Sequence, residues 1–202
     1  MADTDFLSGG LADPVIAGQS AFRAIMQAMA EPGTLQAITD CPAPPNGLSR
    51  TMAAVATTLC DADTPIWLDP ALADNPQVVK WLAFHTGAPV TADSGAAMFA
   101  FVSDTSSMPS IDRFAQGTDA YPDRSTTLVL AVNDFDAGEP LSLSGPGIES
   151  TRRFAFTPTP GAFISQWTEN RARFPRGVDL ILAGPQAVAC LPRSTRIANG
   201  EG

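Results

Sequence analysis

The chain has 202 residues, of which 45% are hydrophobic, and its 21 acidic and 12 basic residues give a net charge of −9. This length and composition predict a single soluble globular domain spanning 1–202, with flexible ends at 1–13 and 198–202. The negative charge argues against nucleic acid or an anionic membrane as a partner. The sequence contains neither an apolar run of about 18 residues, as a membrane span needs, nor a signal-peptide pattern at its acidic start, so we expect a cytoplasmic protein.

Two amphipathic helices are predicted in the first sixty residues. GQSAFRAIMQAMAEPG (18–33) carries apolar residues at helical spacing and ends at a Pro-Gly pair. These apolar residues, expected to face the core, are Phe22, Ile25, Met26 and Met29. SRTMAAVATTLC (49–60) repeats the pattern with Met52, Val55 and Leu59. The first of these two helices therefore has a predicted buried stripe that the structure can test.

The rest of the chain alternates apolar strand-like runs with helical segments. The predicted strands are TPIWLD (64–69), AAMFAFVS (96–103), TTLVLAV (126–132), PLSLS (140–144), RRFAF (152–156), VDLILAG (178–184) and AVACLP (187–192). The predicted helices are NPQVVKWLAFHTG (75–87), opened by an Asn-Pro cap, the short PSIDRFAQG (109–117), and GAFISQWTENRAR (161–173). Strands interleaved with helices predict a three-layer α/β/α domain with a mixed sheet, its last two strands pairing as a hairpin.

The only lysine and the only histidine of the chain lie on one predicted helix. Lys80 is a potential Schiff-base amine, and His85 a potential general base or metal ligand. At 100° per residue, His85 falls on the apolar stripe with Val78, Trp81 and Leu82, whereas Lys80 points to the other side. We therefore expect a solvated amine at Lys80 and, at His85, a half-buried ring that packs on Trp81 and contacts the helix-end carbonyls.

Other patterns that could carry chemistry are weak. Cys41, Cys60 and Cys190 are widely spaced and odd in number, as expected of reduced structural thiols. A single histidine and unspaced cysteines do not make a zinc site, and the neighbouring acids Asp61 and Asp63 suggest only a weak magnesium alternative. The segment SGPGIES (144–150) lacks the lysine and spacing of a phosphate loop and is interpreted as a turn.

Charge is distributed unevenly along the chain. Residues 1–150 hold 18 acidic and 5 basic residues, whereas 151–202 hold 3 acidic and 7 basic residues. All seven bases are arginines, which form bidentate bonds to carboxylates and phosphates. We expect Arg171, Arg173 and Arg176 to form an anion-receptive or partner-facing patch beside Phe174-Pro175, with Arg193 and Thr195 near the C-terminus contributing. Ordinary solvated surface charge is the alternative.

Residues from about 14 to 197 together resemble one known family. They are Phe22-Arg23, Ala28-Met29, Pro32-Gly33, Asp61, Thr64-Pro65, Trp67-Leu68, Phe84-His85-Thr86, Gly145, Gly147-Ile148, Phe174-Pro175, the run GVDLIL (177–182), Leu191-Pro192-Arg193 and Thr195. Each motif is short, but their order and spacing over the chain resemble the PhnH family, the H subunits of the carbon–phosphorus lyase core complex of bacterial phosphonate metabolism.

The resemblance implies a fold and a set of partners. The fold is α/β, like a reduced pyridoxal-phosphate-dependent transferase, and the partners are the G, I and J subunits of the complex. That complex displaces adenine from ATP with a phosphonate to give ribose 1-phosphonate 5-triphosphate, and the J subunit later cleaves the carbon–phosphorus bond. The resemblance assigns the H subunit no catalytic residue and no cofactor. We expect no bound pyridoxal phosphate, because the only lysine, Lys80, faces away from the apolar stripe.

Two function classes follow from these observations. The first is a structural subunit of an enzyme complex, which is at least a homodimer when isolated and works only in an assembly. The loosely periodic AAMFAFVS suggests that apolar side chains cover an interface there. The second is an autonomous small enzyme, with pyridoxal-phosphate or phosphate-ester chemistry at Lys80 or His85. Bound chromophore or turnover by the isolated chain would distinguish the second class from the first.

Overall fold

A computed structural model describes residues 5–200 of the chain. Five α-helices are found there: α1 (Pro14–Ala30), α2 (Arg50–Leu59), α3 (Pro70–Ala73), α4 (Pro76–Thr86) and α5 (Phe163–Ala172). The nine strands are β1 (Gln36–Ala37), β2 (Ile66–Leu68), β3 (Phe99–Val102), β4 (Thr127–Ala131), β5 (Leu141–Ser144), β6 (Arg152–Phe154), β7 (Asp179–Ala183), β8 (Ala187–Leu191) and β9 (Arg196–Asn199). No helix in this part of the chain has both the length and the apolar character needed to cross a bilayer.

The predicted flexible ends fall partly outside the described residues, which exclude 1–4 and 201–202. Within the described part, Ala43 N donates to the Gly9 carbonyl (2.8 Å) and Gly200 N donates to the Pro140 carbonyl (2.8 Å). Flexibility of these ends stays a prediction.

A capping residue followed by proline sets the start of three helices. Asp13, Asp69 and Asn75 each stand before a proline and accept hydrogen bonds from backbone N–H groups of the first turn of α1, α3 and α4. Proline suits the first helical position because its missing N–H would have no intrahelical partner. At the other end of α4, Gly87 adopts φ 74°, a left-handed conformation that favours glycine and ends the helix.

Six strands form a mixed sheet in the order β1-β8-β7-β4-β3-β2. Strands β2, β3, β4 and β7 run parallel, and β8 pairs antiparallel with both β7 and β1. The predicted hairpin at Gly184-Pro185 is therefore confirmed. The sheet ends at both edges in a strand of only two or three residues.

The two faces of this sheet are covered differently. On one face, α1, α2 and α4 pack against alternate strand residues such as Phe101 and Ile181. On the other face, Leu128 and Leu180 pack beneath α5, whose Trp167 is buried, and beneath a second sheet of order β6-β5-β9. The predicted α/β domain with a mixed sheet is confirmed, and a three-stranded sheet forms part of the second outer layer.

The predicted buried stripe of α1 is wrong at two positions. Phe22 and Met26 are 49% and 41% exposed, whereas the buried residues of the helix are Ala17, Ala21, Ile25 and Ala28. The small alanines let α1 lie close to α2 and β8, and the close packing rotates the bulkier side chains outwards. The alanines of α1, rather than its phenylalanine and methionine, thus determine which face of the helix is buried.

The interpretation of AAMFAFVS as an interface segment is wrong for most of its apolar residues, although Met98 is 42% exposed. The central residues of the segment form β3, where Ala100, Phe101 and Val102 are fully buried. A strand in the middle of a sheet that is covered on both faces has a continuous apolar run, which explains the loose periodicity.

Candidate functional site

His85 lies near the carboxyl end of α4, beneath the amino-terminal segment of the chain. Its ring centroid is 4.4 Å from that of Trp81 and 5.0 Å from that of Phe84. Its Nε2 atom is 3.3 Å from the backbone carbonyl oxygen of Ser8, which also accepts a hydrogen bond from Trp81 Nε1 at 3.0 Å. A Cβ atom built at Gly10 would lie 2.9 Å from the His85 ring. The predicted packing on Trp81 is present, and the ring also supports residues 8–10.

The predicted contact of His85 with the helix-end carbonyls is wrong. Thr86 Oγ1 donates to the Leu82 carbonyl (2.6 Å), and Gly87 N donates to the Ala83 carbonyl (3.0 Å). The Nε2 atom of His85 lies instead near the carbonyl oxygen of Ser8, which is outside the helix.

Lys80 and His85 do not converge on a common pocket. Lys80 is exposed, and its Nζ atom lies 5.8 Å from the centre of the Phe6 ring. His85 is half-buried beside Trp81, which belongs to the core on the α1, α2 and α4 face of the sheet. This arrangement agrees with the helical phase predicted from the sequence.

Replacing His85 by alanine should lower the free energy of unfolding by about 1–3 kcal/mol, because packing on Trp81 and a polar contact are lost. Urea denaturation measures this loss. Lys80→Ala, an exposed change on the same helix, should stay within about 0.5 kcal/mol of wild type and serves as the control. His85→Gln should fold and retain the activity of an assembled complex; a folded, assembled but inert Gln variant would indicate a chemical role for the ring.

The arginines predicted as a patch cluster at the edge where the parallel strands begin. Arg171, Arg173 and Arg176 precede β7, and Arg193 follows β8. Because β7 and β8 are antiparallel, the start of one strand and the end of the other lie side by side. We call Phe174 and these four arginines the arginine edge.

Arg193 is bound by the fold itself. Its Nε donates to Asp179 Oδ1 (3.1 Å), and one terminal nitrogen donates to Asp179 Oδ2 and to Ser125 Oγ. The other terminal nitrogen donates to the carbonyls of Pro122 (2.7 Å) and Pro175 (3.4 Å). These five contacts match the five N–H donors of a guanidinium. Arg193 therefore holds three chain segments together, and its side chain has no donor left for an external anion.

The three remaining arginines lie close in sequence to a largely exposed aromatic ring, and one of them, Arg171, stacks over it. Phe174 is 53% exposed, and the Arg171 guanidinium carbon lies 5.1 Å from its ring centre. Arg171 Nε also donates to the Ser194 carbonyl, and Arg173 donates to Gln116 Oε1, both at 3.2 Å. These contacts use only part of each guanidinium, so both arginines keep donors for an outside group.

The outer part of the arginine edge is open to solvent. Arg176 pairs with Asp119 at 3.1 Å, and the two side chains are 45% and 82% exposed. Such an exposed pair is weak and readily exchanged for another carboxylate. An exposed phenylalanine next to Arg171, with two further arginines nearby in the sequence, has the composition of an interface centre, where Phe and Arg are enriched.

One residue that the sequence interpretation passed over is Asp69, at the end of β2. Its carboxylate is fully buried and accepts from Leu72 N (2.9 Å), Ser103 N (2.7 Å) and Asp104 N (2.8 Å), as well as from the Ser103 hydroxyl. It therefore caps α3 and ties the end of β2 to the end of β3. The sequence did contain a sign of this helix cap, because a capping residue followed by proline stands here at the end of a predicted strand. The same pattern at Asn75-Pro76 was used to predict the start of α4.

The cysteines are free, as predicted, and Cys60 and Cys190 are buried. Burial raises the pKa of the Cys60 thiol to about 12, and it also raises the pKa of Cys190. At Cys41, burial raises the pKa although the Arg50 charge opposes it. A raised pKa keeps a thiol protonated at neutral pH, so these side chains are poor nucleophiles and poor metal ligands.

Asp61 and Asp63, considered above as a weak candidate for a magnesium site, lie in a turn that one of them stabilises. Asp61 Oδ1 accepts from Asp63 N at 2.9 Å, and both residues are exposed. Within residues 5–200, no three His, Cys, Asp or Glu side chains are grouped as a metal site requires. The SGPGIES segment forms a turn, as predicted, in which Gly147 lies so close to the end of α1 that a Cβ there would be 2.0 Å from the Ala30 carbonyl oxygen.

Two surface cavities lie elsewhere on the molecule. One of about 410 Å³ is lined by residues that include Phe135, Asp136 and Arg153, and one of about 580 Å³ is lined mainly by apolar residues such as Leu141 and Ile164. Neither includes Lys80, His85 or a residue of the arginine edge among its lining residues.

Comparisons with known proteins agree on one family. Residues 9–198 match the family described as bacterial phosphonate metabolism protein (PhnH). The chain is 46% identical, over 97% of its length and 98% of the relative, to a Rhizobium meliloti (strain 1021) protein named alpha-D-ribose 1-methylphosphonate 5-triphosphate synthase subunit PhnH. It is also 31% identical, over 89% of its length and 85% of the relative, to a Stutzerimonas stutzeri protein named putative C-P lyase subunit protein HtxG.

Proposed function

The chain belongs to the PhnH family of bacterial phosphonate metabolism proteins, and we propose that it is a subunit of a complex that synthesises alpha-D-ribose 1-methylphosphonate 5-triphosphate. The observation that carries this proposal is the 46% identity to a subunit of that name, which extends over nearly the full length of both chains. The similarity to a second protein named as a C-P lyase subunit supports the same role.

The role that we propose is structural, with no reaction completed by this chain alone. Two observations support it. The only lysine is exposed on α4, and the only histidine contacts a backbone carbonyl beneath the amino-terminal segment. Lys80, the first candidate for autonomous chemistry, is thus a solvated surface amine, and His85, the second, contributes to the packing of the fold. The proposal assigns no cofactor to either residue.

The proposed partners are the G, I and J subunits of the carbon–phosphorus lyase core complex, in the cytoplasm. We propose that the arginine edge meets one of them through Phe174 and the free donors of Arg171, Arg173 and Arg176. Carboxylates on the partner would suit these guanidiniums, because planar bidentate pairing is the geometry that arginine favours. The isolated chain is proposed to be a homodimer.

Reversing Arg173 and Arg176 to glutamate should weaken assembly with co-expressed G, I and J subunits by about tenfold or more. Like charges across an interface are repulsive, and the weakening should shrink as salt screens the charges. Affinity purification at 50 and 300 mM salt, with binding measured by interferometry, gives the result. Arg196→Glu is the matched control, because Arg196 is an exposed arginine of β9 outside the arginine edge.

Unchanged assembly in the double variant would mark these arginines as ordinary surface charge. A wild-type chain that ignores all three partners and turns over a phosphonate unaided would instead favour the autonomous enzyme. A cofactor chromophore lost on Lys80→Ala would support the same alternative.

A further inference from the structure

A second exposed aromatic ring lies on a loop that is packed against the arginine edge. Tyr121, the only tyrosine of the chain, is 52% exposed, and Phe174 is 53% exposed. The Arg124 guanidinium carbon lies 4.2 Å from the centre of the Tyr121 ring, as Arg171 lies over Phe174. A stacked guanidinium keeps its N–H donors available, because these donors lie in its own plane. The surface therefore carries two stacks of the same kind.

Arg193 holds the two aromatic residues beside each other. One of its terminal nitrogens donates to the Pro122 carbonyl (2.7 Å) and to the Pro175 carbonyl (3.4 Å). Pro122 directly follows Tyr121 in the sequence, and Pro175 directly follows Phe174. The two stacks thus belong to neighbouring chain segments that a single guanidinium joins, and they can contact the same molecule.

The loop that carries Tyr121 is stabilised by its own backbone. Thr118 N donates to the Tyr121 carbonyl (3.1 Å), and Tyr121 N donates in return to the Thr118 carbonyl (3.2 Å). Gly117 enters the loop at φ 68°, where a Cβ atom would lie 2.8 Å from a carbonyl oxygen of the same loop. We call residues 117–124 the tyrosine loop. A loop that is already ordered loses little conformational entropy when a partner binds.

The charge around the two stacks indicates the chemistry of that partner. Residues 116–125 and 171–177 together hold four arginines and two aspartates, a net charge of +2, whereas the whole chain carries −9. A positive region on an acidic protein attracts acidic groups. The two exposed rings add apolar area that suits a protein segment and is of no use to a free anion. Nucleic acid is disfavoured, because the rest of the chain repels its phosphates.

We propose that the tyrosine loop is the second half of the surface that binds an acidic segment of a partner subunit, and that Asp119 competes with this segment for Arg176. The inference rests on the proposed role as a subunit. It extends the partner surface beyond the arginine edge to Tyr121 and Arg124, so that two aromatic–guanidinium stacks contact one segment.

The exposure of Asp119 supports its role as a competitor. Its Oδ1 atom lies 3.1 Å from Arg176 Nε, and its side chain is 82% exposed. Such a pair contributes little to stability, so a partner carboxylate can replace Asp119 at small cost. Asp123 is also an exposed acid of the tyrosine loop, but it forms no ion pair with any residue of 5–200. It adds the same charge without occupying an arginine.

Asp119→Asn should therefore tighten binding to the co-purified G, I and J subunits by about two- to fivefold, because Arg176 is released. Interferometry at 50 mM salt measures the affinity. Asp123→Asn is the matched control: it removes the same charge from the same loop but releases no arginine, so its gain should be smaller. Equal gains for the two variants, or weaker binding by Asp119→Asn, would overturn the proposed competition.

Tyr121→Ala should weaken the same binding by about tenfold, as expected when an aromatic residue is removed from an interface centre. Tyr121→Phe keeps the ring and should bind within about twofold of wild type. Because the ring is largely exposed, urea unfolding of Tyr121→Ala should show a midpoint close to that of wild type. A folded Tyr121→Ala chain that binds as tightly as wild type would contradict the role of the tyrosine loop.

Hydroxyl-radical labelling, read by mass spectrometry, tests the surface without any substitution. Tyr121 and Phe174 should both be labelled in the isolated chain and both be protected in the assembled complex. Protection of Phe174 alone would exclude the tyrosine loop and leave the arginine edge as proposed. Unchanged labelling of both rings in a bound chain would overturn the whole surface but not the subunit role.

Three further outcomes of the same measurements would overturn the acidic segment as the occupant. Equal protection of Tyr121 by 10 mM inorganic phosphate would show that a free anion is sufficient. Protection that appears in the isolated chain between 1 and 100 μM would assign the surface to a second copy. A wild-type chain that does not bind the G, I and J subunits would overturn this inference together with the proposed function.

Discussion

Asp69→Ala is expected to destabilise the fold by about 4 kcal/mol, a larger loss than any surface substitution should give. Each buried N–H left without an acceptor costs about 1–3 kcal/mol, and the alanine leaves three such groups, at Leu72, Ser103 and Asp104. Asp69→Asn should not restore stability. Both carboxylate oxygens accept backbone N–H bonds, so either orientation of the amide places its NH₂ group against a donor.

The matched control is Asp13→Ala. Asp13 also caps a helix with two backbone N–H bonds, but it is exposed, so its loss should cost about 1 kcal/mol. Urea unfolding of both variants isolates the contribution of the buried tie between β2 and β3. Equal losses for the two caps would mean that water or a neighbouring group replaces the Asp69 carboxylate.

Arg193→Ala should cost about 3 kcal/mol, because it leaves the Asp179 carboxylate without its main partner and releases two loop carbonyls. Lysine at this position carries the charge but cannot reproduce the paired N–H contacts, so Arg193→Lys should recover only part of the stability. Chemical denaturation gives both values, and assembly with G, I and J should fall only in proportion to the unfolded fraction.

Arg176→Ala provides the comparison within the same edge. Its ion pair with Asp119 is largely solvated and should contribute less than about 1 kcal/mol. An Arg193→Ala protein that is as stable as Arg176→Ala, yet fails to assemble, would contradict the proposed structural role. It would show that Arg193 instead contacts a partner.

The helices that the sequence predicted best are those in which bulky apolar residues and caps agree. Helix α4 begins at Asn75-Pro76 and ends at Gly87, and its stripe of Val78, Trp81 and Leu82 is buried as expected. Helix α1 shows the limit of the same reasoning. Hydropathy gives Phe22 and Met26 more weight than Ala21, although a small side chain permits the closer approach between elements.

The elements and contacts that were missed depend on distant parts of the chain. Strand β9 is short and mostly exposed, and it becomes a strand only because β5 supplies its partner. The Arg193–Asp179 pair could have been anticipated once the β7–β8 hairpin was predicted, since the acid begins one strand and the arginine follows the other. The contacts of Arg193 with Ser125 and Pro122 could not, because no local pattern relates those loops.

The short outer strands of the six-stranded sheet restrict how this chain joins other molecules. β1 offers the main chain of only two residues, and β2 only three, with Ile66 also bridged to Val90. β-augmentation, in which a partner strand extends a sheet through a ladder of backbone hydrogen bonds, needs a longer free edge than this. A continuous intermolecular sheet is therefore not available at either edge. A partner that binds at these edges must therefore contact side chains. Point substitutions of those side chains, rather than deletions of a strand, should change the affinity for such a partner.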